Sequence, residues 1–131
     1  MDHPDRIEDL SEADCLRLLA TVPIGRVVYT EHALPAVLPV VFRLDPDGRL
    51  VLALLPDPGR SRALDGTVIA FQADHLDAAG GTGWSVLAHG RAEVLRDPAR
   101  RHALLSTGPR LWLTEREPMF VLFTPELLAG R

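Results

Sequence analysis

Lysine is missing from this chain. All fourteen cationic side chains are arginine. A Schiff base to a lysine amine is therefore impossible, so the aldehyde of pyridoxal phosphate cannot be held in the common way. Any phosphate site must use arginine, backbone N–H groups or hydroxyls. Cysteine is nearly missing too. Cys15 stands alone, cannot form an internal disulfide, and points to a cytoplasmic protein. No apolar run approaches the about 20 residues needed to cross a bilayer, so no membrane association is expected. The start, Met1-Asp2-His3-Pro4-Asp5, is acidic and lacks the apolar stretch of a signal peptide. A basic excess is also lacking. Eighteen acidic against fourteen basic residues leave a net charge of −4, which argues against nucleic acid as a partner.

Several catalytic patterns are absent as well. The histidines are His3, His32, His75, His89 and His102. None pairs at helical spacing and there is no C-x-x-C, so no metal site is expected. Asp74-His75-Leu76-Asp77 reads as a solvated turn after a strand. No G-x-S-x-G elbow occurs. Cys15 lies near the apolar stripe of a helix and reads as a buried structural thiol. Gly80-Gly81-Thr82-Gly83 lacks the spacing of a phosphate-binding loop and precedes a strand, so it reads as a hairpin loop. No catalytic acid, base or nucleophile stands out.

What is present suits one globular domain. The chain has 131 residues, 47% hydrophobic and 24% charged. A chain of this size buries roughly two-thirds of its unfolded surface, enough for a core without staples. Residues 1–9 are polar and read as a loose tail, leaving 10–131 as the domain. Ser11 caps a helix with Asp14 three residues on, and Pro23 closes it at about Thr21. Ile24–Thr30 is β-branched and aromatic, hence a strand. Glu31–Ala33 is a hairpin loop. Pro35–Leu44 is a second strand, in which Pro39 marks a bulge or an edge. Asp45-Pro46-Asp47-Gly48 is a turn, since proline fixes φ and glycine supplies a positive one. Arg49–Leu55 is the third strand, and Arg60–Asp65 a short helical turn. Thr67–Ala73 is the fourth strand, 74–83 a loop, and Trp84–Leu95 a long strand with a bend at Gly90. Asp97-Pro98 opens a helix through about Leu105. Met119–Phe123 is the last strand. Repeated βαβ units are absent, so a parallel Rossmann sheet is not expected. The fold expected is mainly β, a six-stranded antiparallel barrel with two or three short helices, closure removing the exposed edges.

Two segments are candidate ligand contacts. In Pro58-Gly59-Arg60-Ser61-Arg62 two forked guanidinium groups flank a hydroxyl near a helix start. This set suits a phosphate monoester and equally suits a charged surface turn. Trp84-Ser85 sits at a loop-to-strand junction. There the indole either stacks on a planar ligand or packs on the core, as does Trp112.

Read in order, these pieces resemble one family. The carriers run from Leu10-Ser11-Glu12-Ala13-Asp14-Cys15-Leu16 to Pro23-Ile24-Gly25-Arg26-Val27, then Leu34–Val40 with Phe42. Ala63-Leu64-Asp65-Gly66 follows, then Val68–Phe71, Thr82–Ala92, Trp112, Phe120-Val121, Thr124-Pro125-Glu126 and Gly130-Arg131. The chain resembles the actinobacterial-type pyridoxamine 5'-phosphate oxidase-like proteins, a branch of the flavin-binding split barrels, over residues 10 to 131. The resemblance implies a homodimer with flavin mononucleotide (FMN) at the subunit interface. It places the ring beside Pro39, Val40, Val41 and Phe42, and the phosphate at Leu54 and the Arg60, Ser61, Arg62 segment. Trp84 and Ser85 match a strand start near the flavin, contributed across the dimer. Three positions depart from the family pattern. Relatives usually carry a polar residue at Val41, often arginine at Leu38, and threonine or serine where Leu54 aligns. Their turn usually reads Gly-Ser-Lys. The resemblance thus implies an FMN-dependent oxidoreductase of unassigned small-molecule substrate, with several polar flavin contacts replaced. The alternatives are a non-catalytic dimer that has lost flavin and binds another ligand or partner, and a deazaflavin-binding relative.

Overall fold

Local signals in the sequence set the ends of most elements. The structure, a computed structural model, describes residues 9–111 and 114–131. Most of the tail expected over 1–9, and Trp112, lie outside the described residues. Helix α1 spans Glu12–Leu19, and the Ser11 hydroxyl accepts the Asp14 N–H at 3.1 Å, as the capping pattern predicts. Strands β1 (Ile24–Glu31) and β2 (Leu34–Leu44) join through His32 and Ala33, both at positive φ. That is the mirror-image turn matching strand twist. Asp45–Gly48 turns β2 into β3 (Leu50–Leu54), with the Gly48 N–H donating to the Asp45 carbonyl.

Helix α2 follows at Pro58–Leu64, then β4 (Val68–Asp77), β5 (Thr82–Val94), α3 (Pro98–Thr107) and β6 (Met119–Gly130). Asp97 caps α3 and Pro98 opens it, since proline's missing N–H is no loss in the first turn.

Two expectations need correction. The segment 74–83 is not a loop: β4 runs to Asp77 and β5 starts at Thr82, paired through His75↔Trp84 and Asp77↔Thr82. Polar residues there do not break the strand, because the hairpin arms satisfy each other's backbone groups and both faces can meet water. The last strand also continues past Phe123 to Gly130. Its second half crosses a bulge, where Gly90 pairs with Pro125 and His89 with Leu127. A proline inside a strand reads as a stop, and here it sits at the irregularity that tolerates it.

The strands are all antiparallel and close into a ring in the order β1-β2-β3-β6-β5-β4. Alternate residues fill the interior, among them Val27, Phe42, Leu52, Phe71, Val86 and Phe123. Helices α1 and α2 plug opposite ends of the ring. Cys15 and Leu19 of α1 enter the core by the start of β5, and Leu64 of α2 enters where β5 ends. Cys15 is fully buried, and burial pushes its thiol pKa up. Helix α3 instead lies outside the ring. Its Leu104 packs on the outward residues Val51, Ala53, Phe120 and Leu122 of β3 and β6. No described helix is long and apolar enough to cross a membrane.

Candidate functional site: a cleft where the barrel splits

The ring is not sealed evenly. From Val41 to Leu44, β2 pairs with β3, whereas Leu34–Val40 pair with β1 alone. On that side β2 is an edge, and Pro39, which has no N–H to donate, is suited to it. The strands part beyond the Val41↔Ala53 pair and leave a cleft of about 260 Å³. One wall is Leu38, Pro39 and Val40; the other is Ala53, Leu54 and Leu55. Arg60 of α2 reaches in, and Leu111 and Thr114, after α3, close the remaining side. Among the described lining residues Arg60 alone carries a charge.

Arg60 is positioned from both sides. The Asp57 carboxylate caps α2 by accepting the Arg60 backbone N–H at 3.0 Å. That bond chiefly holds the Asp57 carboxyl below the ordinary aspartate range, with the Arg60 and Arg62 charges assisting. The Arg60 guanidinium donates from Nη1 to the Leu55 carbonyl at 2.6 Å. Its Nε–H is buried and has no partner among the described residues. A buried donor left unmade costs free energy.

The expected contacts divide. Pro39, Val40, Leu54 and Arg60 meet in this cleft. Val41 is half-buried beside it, facing away from the barrel interior. Phe42 points inward and meets Phe71 edge-to-face at 4.8 Å. Leu54 reaches the cleft but is also a core residue, 3% exposed. Ser61 opens instead on a second hollow of about 350 Å³ beside Arg101, and Arg62 is exposed. Successive helical residues differ by about 100°, so adjacent members of the triplet diverge. Trp84 and Ser85 lie across the ring at the β4–β5 seam. Trp84 packs on the core. Ser85 joins an outward-facing polar row, accepting from Gln72 Nε2 at 3.2 Å, while Gln72 Oε1 accepts from Arg26 at 3.1 Å. Ala53, Leu55, Leu111 and Thr114 were not foreseen from the sequence, and no motif marks them.

Among the described residues there is no group of three histidine, cysteine or acidic side chains placed to hold a metal ion. The fold and cleft together define a split β-barrel with an apolar slot ending on one arginine. Residues 11–131 match the family model described as pyridoxamine 5'-phosphate oxidase. The chain belongs to this family. An uncharacterised protein of Mycobacterium tuberculosis is 38% identical over 95% of this chain and 84% of its own length. A Corynebacterium glutamicum structure, provisionally described as a pyridoxamine 5'-phosphate oxidase, superposes with a TM-score of 0.76 at 25% identity, covering 99% of this chain and 94% of that one. A Mycobacterium smegmatis structure described as an FAD-binding protein superposes with a TM-score of 0.72 at 25% identity, covering 95% and 97%.

Proposed function

We propose that this chain is a flavin-binding oxidoreductase subunit that takes FMN in the β2–β3 cleft and works as a homodimer. The observation that carries the reading is Arg60, the one charged side chain among the described residues that line a largely apolar slot. A ligand with a flat, largely apolar body and one anionic end fits that lining. The family membership and the FAD-binding neighbour support a flavin. The single arginine favours the phosphate monoester of FMN, through charge-assisted bonds.

The residues of the chain would divide the work. Leu38, Pro39 and Val40 would exclude water along one face of the ring, and Ala53–Leu55 along the other. Arg60 would hold the phosphate, and the Asp57 cap and the Leu55 carbonyl would keep Arg60 in place. When bound, the flavin supplies hydride exchange with a substrate at its ring. No acid or base lines the cleft apart from Arg60 among the described residues. The protein's part is therefore to position and shield.

The dimer reading rests on the sheet face that α3 leaves bare. Val37, Val68, Leu87 and Leu127 are 40–67% exposed there, along the outward sides of β2, β4, β5 and β6. The test is reconstitution with FMN followed by gel filtration. The expected result is a yellow protein fraction holding about one flavin per subunit. A colourless fraction would favour the flavin-free reading, with the apolar Leu38, Val41 and Leu54 as its explanation.

A further inference from the structure

The two walls of the cleft hang from different elements. Leu38–Val40 belong to β2, while Leu111 and Thr114 follow the C-terminal end of α3. The distance between those walls depends on how α3 is held against β2. Beyond Leu104, which packs on β3 and β6, a compact set of charged contacts does this. Asp45, just past the end of β2, accepts from Arg43 at 3.3 Å and from Arg100 of α3 at 3.1 Å. The Asp45 side chain is 13% exposed, and its partners Arg43 and Arg100 are 40% and 32% exposed. Arg43 also donates from Nη1 to the carbonyl of Thr107, the last residue of α3. A cation suits a helix C-terminus, where carbonyls lack partners and the dipole is negative. One carboxylate and one guanidinium thus tie the first turn and the last residue of α3 to the strand that forms the opposite wall. On the far side Arg101 pairs with Glu117 at 3.0 Å, anchoring the return toward β6.

We propose that Asp45, acting through Arg100 and Arg43, is a positioning residue that fixes the width of the ligand cleft by clamping α3 to β2. The proposal rests on the cleft being the flavin site. Asp45 is not among the described residues that line this cleft and would not touch a ligand held there. Its loss should loosen the side of the cleft that Leu111 and Thr114 close, while Arg60 stays in place.

The test uses Asp45→Asn, Asp45→Glu and Ser11→Ala in the full chain. Ser11→Ala removes the α1 cap far from the cleft and reports on destabilisation alone. FMN and riboflavin are titrated against each protein. Asp45→Asn should weaken both ligands alike, by roughly three- to tenfold. Asp45→Glu, which keeps the charge, should restore most of the affinity, and Ser11→Ala should change neither. In parallel, amide hydrogen exchange across residues 108–118 is measured without ligand. Asp45→Asn should speed it at least about fivefold, with Ser11→Ala at the parent rate. Unchanged exchange in Asp45→Asn overturns the clamp even where the parent binds no flavin. Faster exchange with unaltered affinity overturns its role in the cleft. Failure of the parent to bind either flavin, with exchange faster as expected, overturns the flavin reading and leaves the clamp standing.

Discussion

Gly48 closes the Asp45–Gly48 turn at φ +86°, and a Cβ there would meet nothing within 4 Å. The cost of a side chain is therefore backbone strain alone, roughly 1–2 kcal/mol. Gly48→Val should lower the melting temperature by about 4 °C per kcal/mol at this chain length, read by differential scanning calorimetry. An unaltered melting temperature would contradict the turn geometry. Gly90 is the opposite case. A Cβ there would overlap the Thr124 carbonyl, which is backbone at the β6 bulge and cannot swing aside. Gly90→Ala should therefore destabilise by more than Gly48→Val. The Gly48 turn, the Ser11 cap and the Asp97-Pro98 helix start were legible in the sequence, because each acts within four residues of itself. The direction of Arg60 was not. In Arg60-Ser61-Arg62 the three side chains read as one phosphate cluster, yet a helix turns neighbours apart and only Arg60 enters the cleft.

Among the elements, α2 matters most for the site because it carries Arg60. It has seven residues, too short to be stable without its cap and its packing. Asp57→Ala should lower stability measurably, while Asp57→Asn, which can still accept the Arg60 N–H, should lower it much less. Urea unfolding separates the two, and equal losses would mean that the cap bond contributes nothing. Acid should act on the same group. The Asp57 carboxyl is held low chiefly by the Arg60 N–H, and the Asp65 carboxyl by the Val94 N–H and the Arg96 guanidinium. Near the ordinary aspartate pKa of about 3.9 the unfolded chain then binds more protons than the native one. These contributions are complete above that value and are lost as pH falls through the lower native values. Stability should be level from neutral pH to about 5 and decline below about 4, and Asp65→Asn should shallow that decline. Element type was legible nearly throughout, since apolar alternation and β-branched runs mark strands. The ends of β4, β5 and β6 were not. Their pairing beyond the barrel is tertiary, and polar or proline residues there hide it.

For the whole molecule, closure was foreseeable from six strands without crossovers, but the place where the ring splits was not. It depends on β2 outrunning β3, eleven residues against five, a property of register rather than composition. The exposed Val37, Val68, Leu87 and Leu127 on the outward sides of β2, β4, β5 and β6 predict association. Static light scattering at micromolar concentration should give about twice the 14.4 kDa chain mass, and a charged replacement such as Leu87→Asp should shift it toward monomer. A monomeric parent would remove the shared site.

The measurement nearest the centre of this account is a fluorescence-quenching titration of FMN and riboflavin against the parent and Arg60→Ala. If Arg60 holds the phosphate, the variant should lose about ten- to a hundredfold in FMN affinity, the worth of a charge-assisted hydrogen bond, and bind riboflavin as the parent does. Equal loss for both ligands, or no loss for either, would contradict the assignment of the β2–β3 cleft as the FMN site with Arg60 at its phosphate.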